Sequence, residues 1–182
     1  MAKSIEERYL AEQKQAEIDH HQPTAGAMAD HVLANLRVLT NKLVQAAWYV
    51  KGPSYFADRE YLLQLQTTLN HDFVQLGDQL RAVGEKPASV TAEFSEYSML
   101  TEDPRIKYYS SEAILAGLVA DCQTSLMFIQ RAVALANQES KFPLASYLIE
   151  LNGQFERASQ KLQARLGKEP REGLEEEDDD DD

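Results

Sequence analysis

Four stretches of the chain carry apolar residues at steps of three and four, and the links between them differ greatly in length. Met28, Val32, Leu36, Leu39, Leu43, Ala46 and Val50 form the first stripe; Leu62, Leu65, Leu69, Phe73, Leu76, Leu80 and Val83 form the second. The third takes Leu115, Leu118, Cys122, Ser125, Ile129, Val133 and Ala136, and the fourth Leu144, Leu148, Leu151, Phe155, Ala158, Leu162 and Leu166. Such spacing keeps one apolar face along a helix of 3.6 residues per turn. Gly84 stops the second helix, Ser110 and Ser111 are cap candidates for the third, Pro143 opens the fourth and Gly167 closes it. With 8 Gly and 6 Pro in 182 residues, the punctuation that many short strands require is scarce.

The links set the topology. Those around Gly52 and Ser140 are short and suit antiparallel neighbours, whereas Glu85 to Ser110 is long enough to climb the ~40 Å length of such a helix. The prediction is an all-α, ferritin-like four-helix bundle: two hairpins joined by one long crossover, with TAEFSEYSML (Thr91 to Leu100) as a short helix within it. Ahead of the bundle, Ser4-Ile5-Glu6-Glu7 is a capping box, and Arg8 to Ile18 contains no Gly or Pro. An extra N-terminal helix follows from this, broken at Asp19-His20-His21-Gln22-Pro23. Its thin stripe of Ile5, Tyr9 and Ala16 places it on a surface or projecting from one. The division is therefore 1–22 helical extension, 23–166 bundle and 167–182 acidic tail.

Of the net charge of −12, eight units fall from Gly167 onward, where ten acidic residues face two basic ones. Glu175 to Asp182 is an unbroken acidic run, expected to stay unfolded and solvated. The longest apolar run, Ala113 to Ala120, falls short of the roughly 20 residues of a membrane span, so no membrane segment is expected. The charged opening MAKSIEERYLAEQKQ lacks the apolar core of a secretory signal, which points to the cytoplasm. Cys122 is the only cysteine; it excludes an intrachain disulfide and reads as buried filler. No P-loop, dinucleotide fingerprint or cysteine nucleophile in a basic setting occurs.

Trp48-Tyr49-Val50-Lys51-Gly52-Pro53-Ser54-Tyr55-Phe56 resembles the corner between the first two bundle helices of the Dps family, the DNA-binding proteins from starved cells. There the run is typically His-Trp-Asn-Val-Lys-Gly-Pro-x-Phe-Phe. Leu76 to Pro87 (LGDQLRAVGEKP) looks like the end of that family's second helix, and Leu118 to Leu126 (LVADCQTSL) is similar to its third. The likeness spans roughly residues 28 to 166. It implies a dodecameric, nucleoid-associated shell of four-helix subunits that stores iron and protects DNA.

The resemblance also implies a ferroxidase centre between two subunits, built from two His and three carboxylates. Laid onto this chain without gaps, that pattern puts the His positions at Ala47 and Arg59 and the carboxylates at Leu63, Val74 and Asp78. Only Asp78 could still bind metal, and Arg59 adds a positive charge where a cation should sit. The expectation is a lost centre with a weak remnant at Asp78: iron as a weak or non-standard ligand, and no cofactor required. Positions that line acidic iron-entry pores in the family fall near Lys141, Leu144 and Ser146. Other ligand candidates are His20 and His21 beside Glu17; His71 and Asp78 are too far apart to chelate one ion. Family members commonly bind DNA through basic N-terminal segments. Here Lys3, Arg8 and Lys14 are the candidate contacts, in a stretch of net charge −2. An iron-storing ferroxidase with unusual ligands and a purely structural cage stay open as rivals.

Overall fold

The computed structural model describes residues 4–21 and 23–174, without the side chains of residues 16, 17 and 19–21. Among them lie six α-helices and no strand: α1 (Ile5–His21), α2 (Ala25–Tyr49), α3 (Tyr55–Ala82), α4 (Thr91–Tyr97), α5 (Ser111–Gln138) and α6 (Phe142–Arg165), with a 3-10 helix at Pro104–Tyr108 between α4 and α5. The ferritin-like arrangement holds. Two tight hairpins, α2 with α3 and α5 with α6, are joined by the α4 crossover; α2 packs closely on α5, and α3 meets α6 more lightly.

The stripes become the core. Leu36, Leu62, Leu76, Leu144, Leu148 and Leu151 have no exposed surface, and Cys122 is buried among them as filler. Burial pushes the Cys122 thiol up to about 12. By length and composition α5 could cross a bilayer, but half of its most apolar window is buried inside the bundle, which accounts for its hydropathy.

The caps follow the sequence closely. Ser4 and Glu7 form a reciprocal box, with Ser4 N donating to Glu7 Oε2 at 2.7 Å and Glu7 N to Ser4 Oγ at 3.1 Å. Thr24 caps α2 through Ala27 N, and Ser110 caps α5 through Ala113 N. Ser111 does something else: its hydroxyl donates to Lys51 O at 2.7 Å and accepts from Lys51 N at 2.8 Å, fixing the α2–α3 corner to the start of α5. Gly52 makes that corner with φ +96, a conformation L side chains rarely adopt.

Three expectations about boundaries change. α1 runs through His21 rather than breaking at Asp19, and α4 ends at Tyr97, leaving Leu100 to pack on the core beyond it. The chain does not leave the bundle at Gly167. Glu172 O accepts from the buried Gln163 side chain at 2.9 Å, and Leu174 packs against the core. The run Glu175–Asp182 lies outside the described residues.

Candidate metal centre and nucleic-acid interface

The five positions implied for a metal centre lie on α2 and α3. Ala47 has no exposed surface, so a larger side chain there would have to displace its neighbours. Arg59, Val74 and Asp78 are exposed and Leu63 is half-buried against the core. Arg59 and Asp78 have no ion-pair or hydrogen-bond partner among the described residues. They lie 19 positions apart, about 28 Å along the helix, so one chain cannot bring them together. Among the described residues, no group of three His, Cys, Asp or Glu side chains is placed to hold a metal ion.

The start of α6 also departs from an acidic pore. Lys141 is held in the bundle by Glu85 (2.6 Å) and Glu139 (2.9 Å), and Leu144 is core. Ser146 is exposed, as are Phe142 and Ile149. Phe142 sets a large exposed apolar group at the helix start.

Three buried acids escape the sequence reading. Asp58 is 5% exposed and takes a bidentate bond from Arg165, at 2.6 Å from Nε and 2.8 Å from Nη2. Asp72 accepts from Tyr147 Oη at 3.3 Å and Gln154 Nε2 at 3.4 Å, while its Oδ2 and the Gln154 Oε1 have no hydrogen-bond partner among the described residues. Burial raises the Asp72 carboxyl above the usual carboxylate range. Both acids sit where α3 faces α6. Their signal was present: Asp58, Leu62, Leu65, Leu69, Asp72, Leu76 and Leu80 continue one helical stripe. The third is Asp121, whose two oxygens sit 3.0 and 2.9 Å from Lys42 Nζ. That pair lines a cleft of about 100 Å³ between α2, the 3-10 helix and α5. Lys42 is also bonded to Thr101 O, and Asp103 to Tyr109 Oη at 2.6 Å, so the polar lining is already partnered.

The N-terminal candidates are on α1. Ile5, Tyr9, Leu10 and Ile18 are exposed, and the helix is tied to the body by Glu12, which accepts from Lys86 Nζ at 2.7 Å. Arg8 and Lys14 are exposed and have no acidic partner among the described residues. Lys3 lies outside the described residues. His20 and His21 fall in the last turn of α1, but their side chains, like that of Glu17, are not described.

A ferritin-like domain family model matches residues 27–171, which is most of the chain and leaves out α1. DpsB of Lactococcus lactis MG1363 is 42% identical in sequence, superimposes with a TM-score of 0.86, and covers 91% of this chain and 95% of its own. DpsA of the same organism is 35% identical with a TM-score of 0.87, over 93% and 99% of the two chains. The DNA protection during starvation protein of Listeria monocytogenes is 27% identical over 78% of this chain and 90% of its own length. The fold is thus that of the ferritin-like helical bundles. Within that class, this chain belongs to the Dps family.

Proposed function

We propose that this chain builds a Dps-type dodecameric shell that binds and protects DNA through α1, acts in the cytoplasm on the nucleoid, and retains at most residual iron binding. The observation that carries the reading is α1 itself. It lies outside the matched ferritin-like domain, its contacts to the body are few, and it presents Arg8 and Lys14 without an acidic partner among the described residues. The DNA-protection names of the relatives supply the ligand class. One copy of residues 1–22, net −2, has little attraction for phosphate. Twelve copies on one shell engage a duplex together, and such multivalency raises avidity by about 10² or more. Binding is then steeply salt-dependent, and the acidic C-terminus opposes it. The rival reading, an iron-storing ferroxidase with non-standard ligands, finds no group of three His, Cys, Asp or Glu side chains placed to hold a metal among the described residues of one chain.

Gel shifts with duplex DNA across a salt series test the proposal, using the intact protein, a deletion of residues 1–22 and a deletion of residues 175–182. The second cut spares Leu174, which packs on the core. The first deletion should abolish binding and the second strengthen it. Binding by an N-terminally deleted, still fully assembled shell that equals the parent would rule out α1 as the contact.

A further inference from the structure

Among the described residues, the buried acids are Asp58, Asp72 and Asp121, and two of them are answered by a cation. Arg165 grips Asp58 from two nitrogens, and Lys42 Nζ lies within 3.0 Å of both oxygens of Asp121. Asp72, 4% exposed, meets only neutral donors. Tyr147 Oη lies 3.2 Å from Asp72 O and 3.3 Å from Asp72 Oδ1, so its single hydrogen serves one of them at a time. Gln154 Nε2 reaches the same Oδ1 at 3.4 Å. Two oxygens remain, Asp72 Oδ2 and Gln154 Oε1, and both are shut away from solvent without a partner among the described residues.

An ionised Asp72 would be an anion with no cation bonded to it, beside two buried oxygens that only accept. Burying an unpaired carboxylate costs more than protonating it. One hydrogen removes the conflict. A carboxyl and a carboxamide are planar groups with similarly spaced polar atoms, and each turns broadly about its terminal torsion. With Nε2 donating to Oδ1, a proton on Oδ2 is aimed at Oε1 once the two groups are turned face to face. We infer that Asp72 keeps its proton in the folded subunit and donates it from Oδ2 to Gln154 Oε1, joining α3 to α6 by a two-bond acid–amide pair that ionisation of this one carboxyl undoes.

The groups around the pair fix the direction of its response. Burial raises the Asp72 carboxyl; the bonds from Tyr147 and Gln154 and the charge of the exposed His71 lower it, and Glu150 of α6 raises it again. Burial and the neighbouring Asp72 also push the Tyr147 hydroxyl up, so it stays a donor. A carboxyl raised in the folded state stabilises fully below its unfolded value, and the contribution is lost as pH rises through the folded one. The join matters because α3 meets α6 more lightly than either meets its hairpin partner. Asp58 and Asp72 are 14 positions apart, about 21 Å along α3. Arg165 stays charged, so its end of the seam holds while the stretch around Asp72 loosens with rising pH.

Infrared spectroscopy of the full-length protein reads the proton. At about pH 5.5, ~1.5 units above a free aspartate, the parent should show a protonated-carboxyl C=O stretch that Asp72→Asn removes. Gln154→Met should move that band to higher frequency, because the carbonyl loses the hydrogen bond from Nε2. Asp72→Asn offers an N–H in place of the O–H at every pH. Hydrogen exchange at residues 70–74 and 147–154 should therefore quicken about tenfold or more in the parent relative to Asp72→Asn between about pH 5 and about pH 8. Near Arg165 the two should stay alike. No band difference between parent and Asp72→Asn would show an ionised Asp72 and overturn the inference, as would an exchange response that the two proteins share. A band unmoved by Gln154→Met would overturn the pairing, and this variant decides alone if Asp72→Asn does not fold. Protection that follows sodium or potassium at fixed pH and ionic strength would put a metal cation between the oxygens and also overturn it.

Discussion

Burial holds the Asp30 carboxyl at about 6, against 3.8 for a free aspartate, although it accepts from Ala88 N at 2.9 Å and lies near His31. Glu93 and Glu85 push in the same direction as burial. A carboxyl whose folded value is raised favours the folded state fully only below the unfolded value, and that contribution disappears as pH rises through about 6. Asp30→Asn keeps an acceptor for Ala88 and removes the charge. The variant should match the parent near pH 3.5 and exceed it by ~1–3 kcal/mol at pH 7 in urea unfolding. A variant less stable than the parent at pH 7 would contradict this. Nothing in the sequence marks Asp30: its raised value depends on a crossover 58 residues away in the chain.

At the scale of elements, α2 acts as a rail that grips the crossover. Asp30 takes Ala88 N, His31 Nδ1 lies 2.7 Å from Tyr97 O, Asn35 takes Met99 N, and Lys42 donates to Thr101 O. Asn41 and Gln45 reach Glu102. Only Asn35 is fully buried, its Oδ1 accepting from Met99 N at 2.8 Å and from Ser98 Oγ at 3.1 Å. Asn35→Ala should remove the acceptor of both Met99 N and Ser98 Oγ, at about 1–3 kcal/mol of stability for the two hydrogen bonds together. Hydrogen exchange should accelerate at residues 98–100 before it does in α5 or α6. Uniform acceleration throughout the bundle would show that the loss is global and not a loosened grip. The length of the link foretold that the chain must cross over. Which side chains hold it was hidden, because polar residues on a helix face read from sequence as solvated.

For the whole molecule, the prediction concerns iron as substrate. With Ala47, Arg59, Leu63 and Val74 at four of the five positions the family pattern implies, Fe(II) oxidation by peroxide should stay within about twofold of the protein-free rate. Asp78→Ala should change it little. Rapid, saturable oxidation that Asp78→Ala abolishes, followed by absorbance in stopped flow, would restore the ferroxidase reading.

Periodicity and link length determined the bundle, because each core helix must repeat its apolar face every 3.6 residues and a long connection is the only way to join parallel neighbours. The Trp48 to Phe56 corner carried the family. Tertiary structure decided the rest, through contacts between groups far apart in sequence. It buried Asp58 against Arg165, 107 residues away, and Asp72 beneath Tyr147, 75 residues away. It drew Lys141 into the bundle between Glu85 and Glu139, and it left Phe56 and Val74 of α3 exposed among the described residues. A single strand of sequence gives the order of residues along a helix, whereas the environment that shifts a carboxyl or frees a surface is built by whichever helices pack beside it.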